Sequence, residues 1–331
     1  MLKLDEKKQT DSVRGALALR GRIEQIVDEV WEKGIRNICW LGIGGTWASC
    51  LQAVCHMKER TSLEVFDTNA AVYCAAGDRR IGEGTFMVIS SVTGSTPEVA
   101  DAVRKARGAG ARVLGFIDDP EAPLAGSVDD CITYPANEQL KFFMAADRLM
   151  FNEGVMPEYG DMYRQFDMYL PEALVEAEKA ADGFGRKFAQ EHLGDSLHYF
   201  VGAGSLYGAT YSYGMCYWEE MHRKRTRSVH SAEFFHGMLE VIDRDTPVTL
   251  FIGEDMQRGL GERVERFLER YSDNCTVIDT GDYVLPGIDD RYRWAVSHLV
   301  MHAVTNRIDA HLEALSGHDM NERRFYRKTD Y

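Results

Sequence analysis

Short apolar runs along the chain alternate with longer stretches in which apolar residues recur every three or four positions. The runs Asn37–Leu41, Leu63–Phe66, Phe86–Ser90, Arg112–Phe116 and Cys131–Tyr134 have strand length. Hydrophobicity that is continuous rather than alternating marks strands covered on both faces. Between and after them, Trp47–Lys58, Pro97–Arg107 and Glu138–Asn152 carry the 3.6-residue period of helices. An amphipathic segment precedes the first run, with Ile23, Ile26, Val27, Val30 and Trp31 at helical spacing. Residues Glu153–Leu193 are acidic, rich in Met and Tyr, and read as connecting helices. The alternation then resumes with His198–Val201, a long helix over about Leu206–Arg223, runs at Val248–Ile252 and Cys275–Ile278, and a helix over about Tyr292–Leu315.

Strands separated by helices need right-handed crossovers and build parallel sheets, which predicts an α/β protein. Each half opens on the same plan of strand, glycine turn and helix, at Leu41–Ser49 and again at Val201–Ala209. The predicted organisation is an N-terminal domain over 1–152 with its leading helix, connecting helices over 153–193, and a C-terminal domain over 194–331.

Composition changes this picture little. Hydrophobic residues at 45% and charged residues at 27% are values of a folded globular chain. No run approaches the ~20 apolar residues of a membrane span, and the polar start lacks the apolar core of a signal peptide. The net charge of −14 disfavours a nucleic-acid surface built on bulk electrostatics. It leaves room for a small anion, because N–H groups and hydroxyls at a helix start hold a phosphate whatever the global charge. Seven cysteines without a C-x-x-C pair point to reduced thiols and a cytoplasmic protein.

Three motifs carry candidate chemistry. In the first, Gly42-Ile43-Gly44-Gly45-Thr46 joins a strand to a helix, as in a dinucleotide fold. Trp47 stands where the third glycine of G-x-G-x-x-G belongs, while Asp67, near the end of the next strand, keeps a ribose-binding acid in view. The second motif is Ser90-Ser91-Val92-Thr93-Gly94-Ser95-Thr96-Pro97, also directly after a strand. Pro97 suits the first turn of the next helix. One N-cap explains one hydroxyl, whereas five hydroxyls around a glycine make a phosphate cradle. No G-x-x-x-x-G-K-[ST] pattern calls for a nucleoside triphosphate. The third motif holds Glu219, Glu220 and His222, then His230, then Glu233-Phe234-Phe235-His236-Gly237. A carboxylate and a histidine can divide proton abstraction and donation near neutral pH, but spacing alone selects neither Glu220 over Glu219 nor His236 over His222 and His230. His298 and His302 lie one helical turn apart without a carboxylate partner or an H-E-x-x-H pattern, so no metal site is expected.

Together the three motifs resemble the sugar isomerase (SIS) family. They are most similar to the fructosamine-6-phosphate deglycases and to the isomerase half of glucosamine-6-phosphate synthase. The resemblance rests on Gly44-Gly45-Thr46, on Ser91-Val92-Thr93-Gly94-Ser95-Thr96, on Glu220 followed sixteen residues later by His236 within Ala232–Gly237, and on the closing Asn321–Tyr326. It implies two tandem SIS domains, each a parallel sheet flanked by helices in a flavodoxin-like three-layer α/β/α arrangement. It implies that Glu220 and His236 are catalytic and that Gly45, Thr46, Ser91, Thr93, Ser95 and Thr96 bind the substrate phosphate. It further implies that no cofactor is needed and that a homodimer shares its active sites. The amidotransferase-linked isomerases carry a lysine where this chain has Tyr217, and they carry a glutaminase domain that is not found before these motifs. The second departure favours a deglycase or a stand-alone isomerase, and Tyr217 shifts the expected reaction towards breaking the C1–nitrogen bond, as in a deglycase that releases glucose 6-phosphate and an amine. An aldose–ketose isomerase and a non-catalytic sugar-phosphate binder of the same fold are the alternatives.

Overall fold

The computed structural model describes residues 1–326, 328 and 329. It divides into two compact units: Lys8–Met168, and Met1–Lys7 together with the chain from Tyr169 on.

In the unit Lys8–Met168, strands β1 (Asn37–Gly42), β2 (Glu64–Asn69), β3 (Thr85–Ser91), β4 (Arg112–Ile117) and β5 (Asp130–Ile132) form one sheet in the order β2-β1-β3-β4-β5. Every pairing is parallel. All residues of β1 and β3 are buried, as expected of strands covered on both faces. Helices α1 (Glu6–Leu17), α2 (Arg20–Lys33), α3 (Gly45–Lys58), α4 (Ala70–Ala76), α5 (Pro97–Gly108) and α6 (Glu138–Glu153) surround the sheet. The two-residue period of a strand splits β1 between two cores. Cys39 and Leu41 pack with Tyr73, Val99 and Val103 of α4 and α5, while Trp40 meets Phe142 of α6 with ring centroids 4.9 Å apart. Phe116 and Phe142 are fully buried, each contributing roughly 1.5–3 kcal/mol by leaving water.

The other unit holds α7 (Tyr159–Ala180) from Tyr169 on, then α8 (Asp182–His192), β6 (His198–Gly202), α9 (Ser205–Ser212), β7 (Thr226–His230), α10 (Ser231–Phe234), β8 (Val248–Ile252), α11 (Arg258–Tyr271), β9 (Cys275–Asp279) and α12 (Ser297–Ser316). Its sheet is parallel with the order β7-β6-β8-β9. One face packs Phe200, Trp218 and Phe251 against α8 and α12. The other packs Val201, Leu250 and Ile252 against Phe234, Val264 and Leu268.

Three local findings differ from the sequence expectation. The predicted helix over about Leu206–Arg223 is α9 followed by a nine-residue π-helix, Tyr213–Met221. The predicted helix from about Tyr292 begins as a 3₁₀ turn, Asp290–Ala295, before α12. Edge strand β7 has no apolar run to announce it, since only Val229 of its five residues is buried. The seven cysteines form no disulfide, and no helix among the described residues is long and apolar enough to cross a membrane.

Candidate active site

The two loops singled out in the N-terminal half follow neighbouring parallel strands. β1 pairs with β3, so the Gly44–Thr46 turn and the Ser91–Thr96 loop leave the sheet side by side at its C-terminal edge, where open α/β sheets bind ligands. Gly44 takes φ +60° and opens α3 without a side-chain cap. The Thr46 hydroxyl donates to the Ile43 carbonyl at 2.9 Å and accepts from the Ile43 N–H at 3.0 Å. Its single proton is therefore used inside the turn, and the N–H groups of Gly45 and Thr46 belong to the first turn of α3, which has no side-chain cap and no intrahelical acceptors for them.

In the second loop Ser91 Oγ accepts from Gly94 N at 3.0 Å, while Ser95 Oγ donates to Thr93 Oγ1 at 3.0 Å. The two bonds tie the hydroxyls of the loop to one another and to its backbone. Thr96 is the N-cap of α5, yet its hydroxyl makes no capping bond, and Pro97 takes the first helical position. Ordinary capping therefore leaves the hydroxyl set unexplained.

Two charged residues at this edge escaped the sequence reading. Glu138, first in α6, is hydrogen-bonded to Ser49 and Ser90, and burial holds its carboxyl above the usual range. The fully buried Lys141 gives its ammonium to the Tyr134 carbonyl at 2.6 Å and to Asp118 at 3.2 Å. Both sit in a segment whose periodicity announces only a helix. The dinucleotide alternative loses its acid, because the Trp47 indole N–H bonds Asp67 at 2.8 Å. The residue in the third-glycine place thus occupies the carboxylate that a ribose would need.

In the other unit, Glu220 lies near the end of the π-helix, partly exposed, and accepts from Arg323 Nε at 2.6 Å. It borders a cavity of 420 Å³ with Glu219, Arg223, Lys224, Arg323 and Tyr326. Glu219 accepts from the Thr226 N–H and hydroxyl, at 3.3 and 3.0 Å, and so serves the edge strand. The three histidines also separate by what they touch. His222 is buried against Asp309 at 3.0 Å. His230 caps α10 through Nδ1, which accepts from Ala232 N at 3.1 Å, and burial lowers its pKa. His236 sits exposed on the turn after α10, its backbone N–H on the Glu233 carbonyl at 3.0 Å. Among the described residues no hydrogen bond joins Glu220 to His236.

No family model matches the chain. Fructosamine deglycase FrlB of Bacillus subtilis is 30% identical to it over 322 residues, which are 93% of this chain and 97% of that protein. The chain belongs to the fructosamine deglycase family of SIS proteins. Fructoselysine 6-phosphate deglycase of Escherichia coli K12 is 24% identical over 310 residues, covering 92% of this chain and 89% of that one. A Bacillus subtilis structure assigned to the phosphosugar isomerases shares the fold, with TM-score 0.88 at 24% identity over 98% of this chain and 100% of that one. The C-terminal domain of glucosamine-fructose-6-phosphate aminotransferase from Francisella tularensis does so at TM-score 0.75 and 12% identity, with 96% of each chain covered.

Within this deglycase family member, one cluster outside the two loops and the π-helix has metal-like composition. Asp195 Oδ2 lies 2.8 Å from Nδ1 of both His192 and His198, and the second nitrogen of His198 meets Thr249 Oγ1 at 2.8 Å. These bonds join the three side chains and Thr249 into one hydrogen-bonded network. Burial lowers the His198 pKa to about 4. Burial also works to raise Asp195, but the two histidine bonds bring it down to about 2.

Proposed function

We propose that the chain is a fructosamine 6-phosphate deglycase acting on a 6-phosphorylated Amadori product, an amine carried on C1 of fructose 6-phosphate. The observation that carries the reading is the near-full-length relationship to the deglycases. The local geometry is compatible with it: Glu219, though it borders the same cavity, is bonded to β7, His222 to Asp309, and His230 caps α10, while Glu220 meets Arg323 at the cavity and His236 is exposed.

In this reading the N–H groups of Gly45 and Thr46 and the loop residues Ser91, Thr93, Ser95 and Thr96 hold the phosphate. Glu220 takes a proton from C1, and the adjacent C2 carbonyl accepts the electron pair, giving an enaminol. His236 assists ring opening and supplies a proton as acid. Reprotonation at C2 produces an imine between C1 and nitrogen. Water adds to C1, the C1–N bond breaks, and glucose 6-phosphate and the free amine leave. The carbonyl is the only electron sink the sequence of steps requires, so the scheme needs no cofactor.

The phosphate loops belong in this scheme to a domain of residues 1–152 and the proton chemistry to residues 194–331, with 153–193 connecting them. We also propose a cytoplasmic homodimer in which the exposed His236 turn serves the partner's site. Full activity after dilution to separated subunits would count against the shared site.

The test is incubation with fructosamine 6-phosphates in deuterated water, following amine release together with deuterium at C2. Amine release with label at C2 is the expected result. Turnover of fructose 6-phosphate without an amine would instead mark an aldose–ketose isomerase, and binding without exchange an inert sugar-phosphate binder. Glu220→Gln should lose about 10²–10⁴-fold in kcat, the usual worth of a general base. A loss of less than tenfold would remove Glu220 from that role.

A further inference from the structure

Residues Tyr213–Met221 form a nine-residue π-helix, a winding rare in proteins, usually confined to one turn and frequent at functional sites. Its first residue and the residue that caps its C-terminal end reach the same atom. The Tyr213 hydroxyl donates to Asp309 Oδ1 at 3.1 Å, and His222 Nε2 lies 3.0 Å from that oxygen. A carboxylate only accepts, so Nε2 carries the proton of its bond. Asp309 stands on α12 and is 4% exposed, where losing either bond would leave a buried acceptor short of partners.

The shared acceptor is compatible with one winding only. Tyr213 and His222 are nine positions apart, about 2.5 turns at 3.6 residues per turn, which would set them on opposite faces of an α-helix. Bonding from i to i+5 closes a turn in about 4.4 residues, so nine positions make about two turns and both side chains share a face. The same count decides where Glu220 points. Seven positions after Tyr213, it would complete about 1.9 turns of α-helix and face the core with Tyr213. Tyr213 is 2% exposed and lies edge-on to Phe200 and Phe251. With π winding the seven positions make about 1.6 turns, roughly opposite Tyr213, and the Glu220 side chain is 32% exposed.

We propose that Asp309 is a positioning residue: by holding Tyr213 and His222 on one face, it keeps the segment π-wound and aims Glu220 away from the core and into the cavity. This rests on Glu220 being the base of the proposed reaction. Nearby packing works in the same direction. Gly214 lies so close to β7 that a Cβ there would stand 2.6 Å from Ser228 Oγ, and the ring of Tyr217 meets that of His302, also on α12, at 6.1 Å.

The experiment compares Asp309→Ala, Asp309→Asn, Glu220→Gln and the double variant Glu220→Gln/Asp309→Ala in the full chain. It reads kcat and KM for amine release from fructoselysine 6-phosphate and fructosylglycine 6-phosphate, with proton exchange at C1. Asp309→Ala should lower kcat and C1 exchange on the order of 10²-fold, the cost of a misplaced group, with KM within about threefold. Asp309→Asn keeps an oxygen for both donors and should recover most of that loss. In the Glu220→Gln background Asp309→Ala should cost less than about twofold, because nothing remains to be aimed. If Glu220→Gln is disabled while folded Asp309→Ala keeps its kcat and only melts earlier, Asp309 is structural and the base assignment stands. If Glu220→Gln itself keeps its turnover, the base assignment falls and this proposal with it. Should Asp309→Ala not fold, Tyr213→Phe removes one donor and keeps the ring. A fall in kcat of about five- to tenfold at constant KM is expected of it, and an unchanged kcat would overturn the proposal.

Discussion

Arg323 Nε lies 2.6 Å from Glu220 Oε1, so a residue of the C-terminal tail is bonded to the carboxylate assigned as the base. The side chains are 17% and 32% exposed, a setting in which an ion pair adds at most about 1 kcal/mol to stability. Its larger effect is geometric. A charge-assisted bond selects one carboxylate rotamer, and proton transfer depends steeply on placement.

Arg323→Ala should therefore leave the melting temperature within about 3 °C while lowering kcat/KM for a fructosamine 6-phosphate about tenfold. Arg323→Lys, which keeps the charge and loses the planar donor, should fall between. Steady-state kinetics beside calorimetry decides the matter. Unchanged kcat/KM, or a fall that follows a large loss of folded protein, would remove the tail from the chemistry.

The phosphate loop makes a separate prediction. Gly94 has φ +55°, and a Cβ on it would stand 2.3 Å from the Ala122 Cβ, while its N–H donates to Ser91 Oγ. Gly94→Ala would meet both backbone strain and a clash, together about 1–3 kcal/mol, relieved by moving the loop. The expected result is a rise of about tenfold or more in substrate KM with kcat far less affected, the signature of lost uniform binding. Equal KM in the variant would show that the loop does not hold the substrate.

Much of this arrangement was legible in the sequence because its cause is local. β1, β3 and β4 are covered on both faces, so they read as continuous apolar runs, and Pro97 marks the start of α5 by its fixed φ. The edge strand Thr226–His230 has a polar side and left no run. The seven-residue helix α4 is too short to show a period. The π-helix was out of reach for a different reason. Its composition suits an α-helix, and the winding follows from Asp309, 87 positions beyond His222. Glu138 and Lys141 were visible as letters, but only the fold places them beside Ser49, Ser90 and Asp118. Glu220 and His236 were singled out by the family pattern alone, whereas the partners of Glu219, His222 and His230 come only from the fold.

Acid should weaken the unit that carries Glu220. Burial holds His198 at about 4, against about 6.5 for an unfolded histidine. The unfolded chain therefore binds this proton first. Stability is full above about pH 6.5, is lost as pH falls towards 4, and changes no further through this group below that. The amount is on the order of 3 kcal/mol. Asp195, brought to about 2, extends the loss through the interval from about 3.8 down to 2. Urea unfolding at a series of pH values should show the first slope, and His198→Gln should flatten it. A variant with the wild-type slope would place the acid sensitivity elsewhere.

Arg307 offers the sharpest test of the packing beneath the site. It is 1% exposed on α12 and bonds Glu178 at 3.2 Å and Asp182 at 3.0 Å. Its backbone would lie 2.8 Å from a Cβ on Gly185 of α8, so the two helices approach too closely there to rearrange. Removing one partner of a buried pair leaves the other charge without compensation, which costs about 3–5 kcal/mol, whereas replacing both by apolar groups is often neutral. Arg307→Met should therefore destabilise by that amount, and adding Glu178→Leu should recover at least about half of it, since Glu178 is the more buried of the two acids. Denaturant midpoints at unchanged m-value measure both changes. If the double variant were no more stable than Arg307→Met, the loss would come from the arginine's packing rather than from the stranded carboxylate.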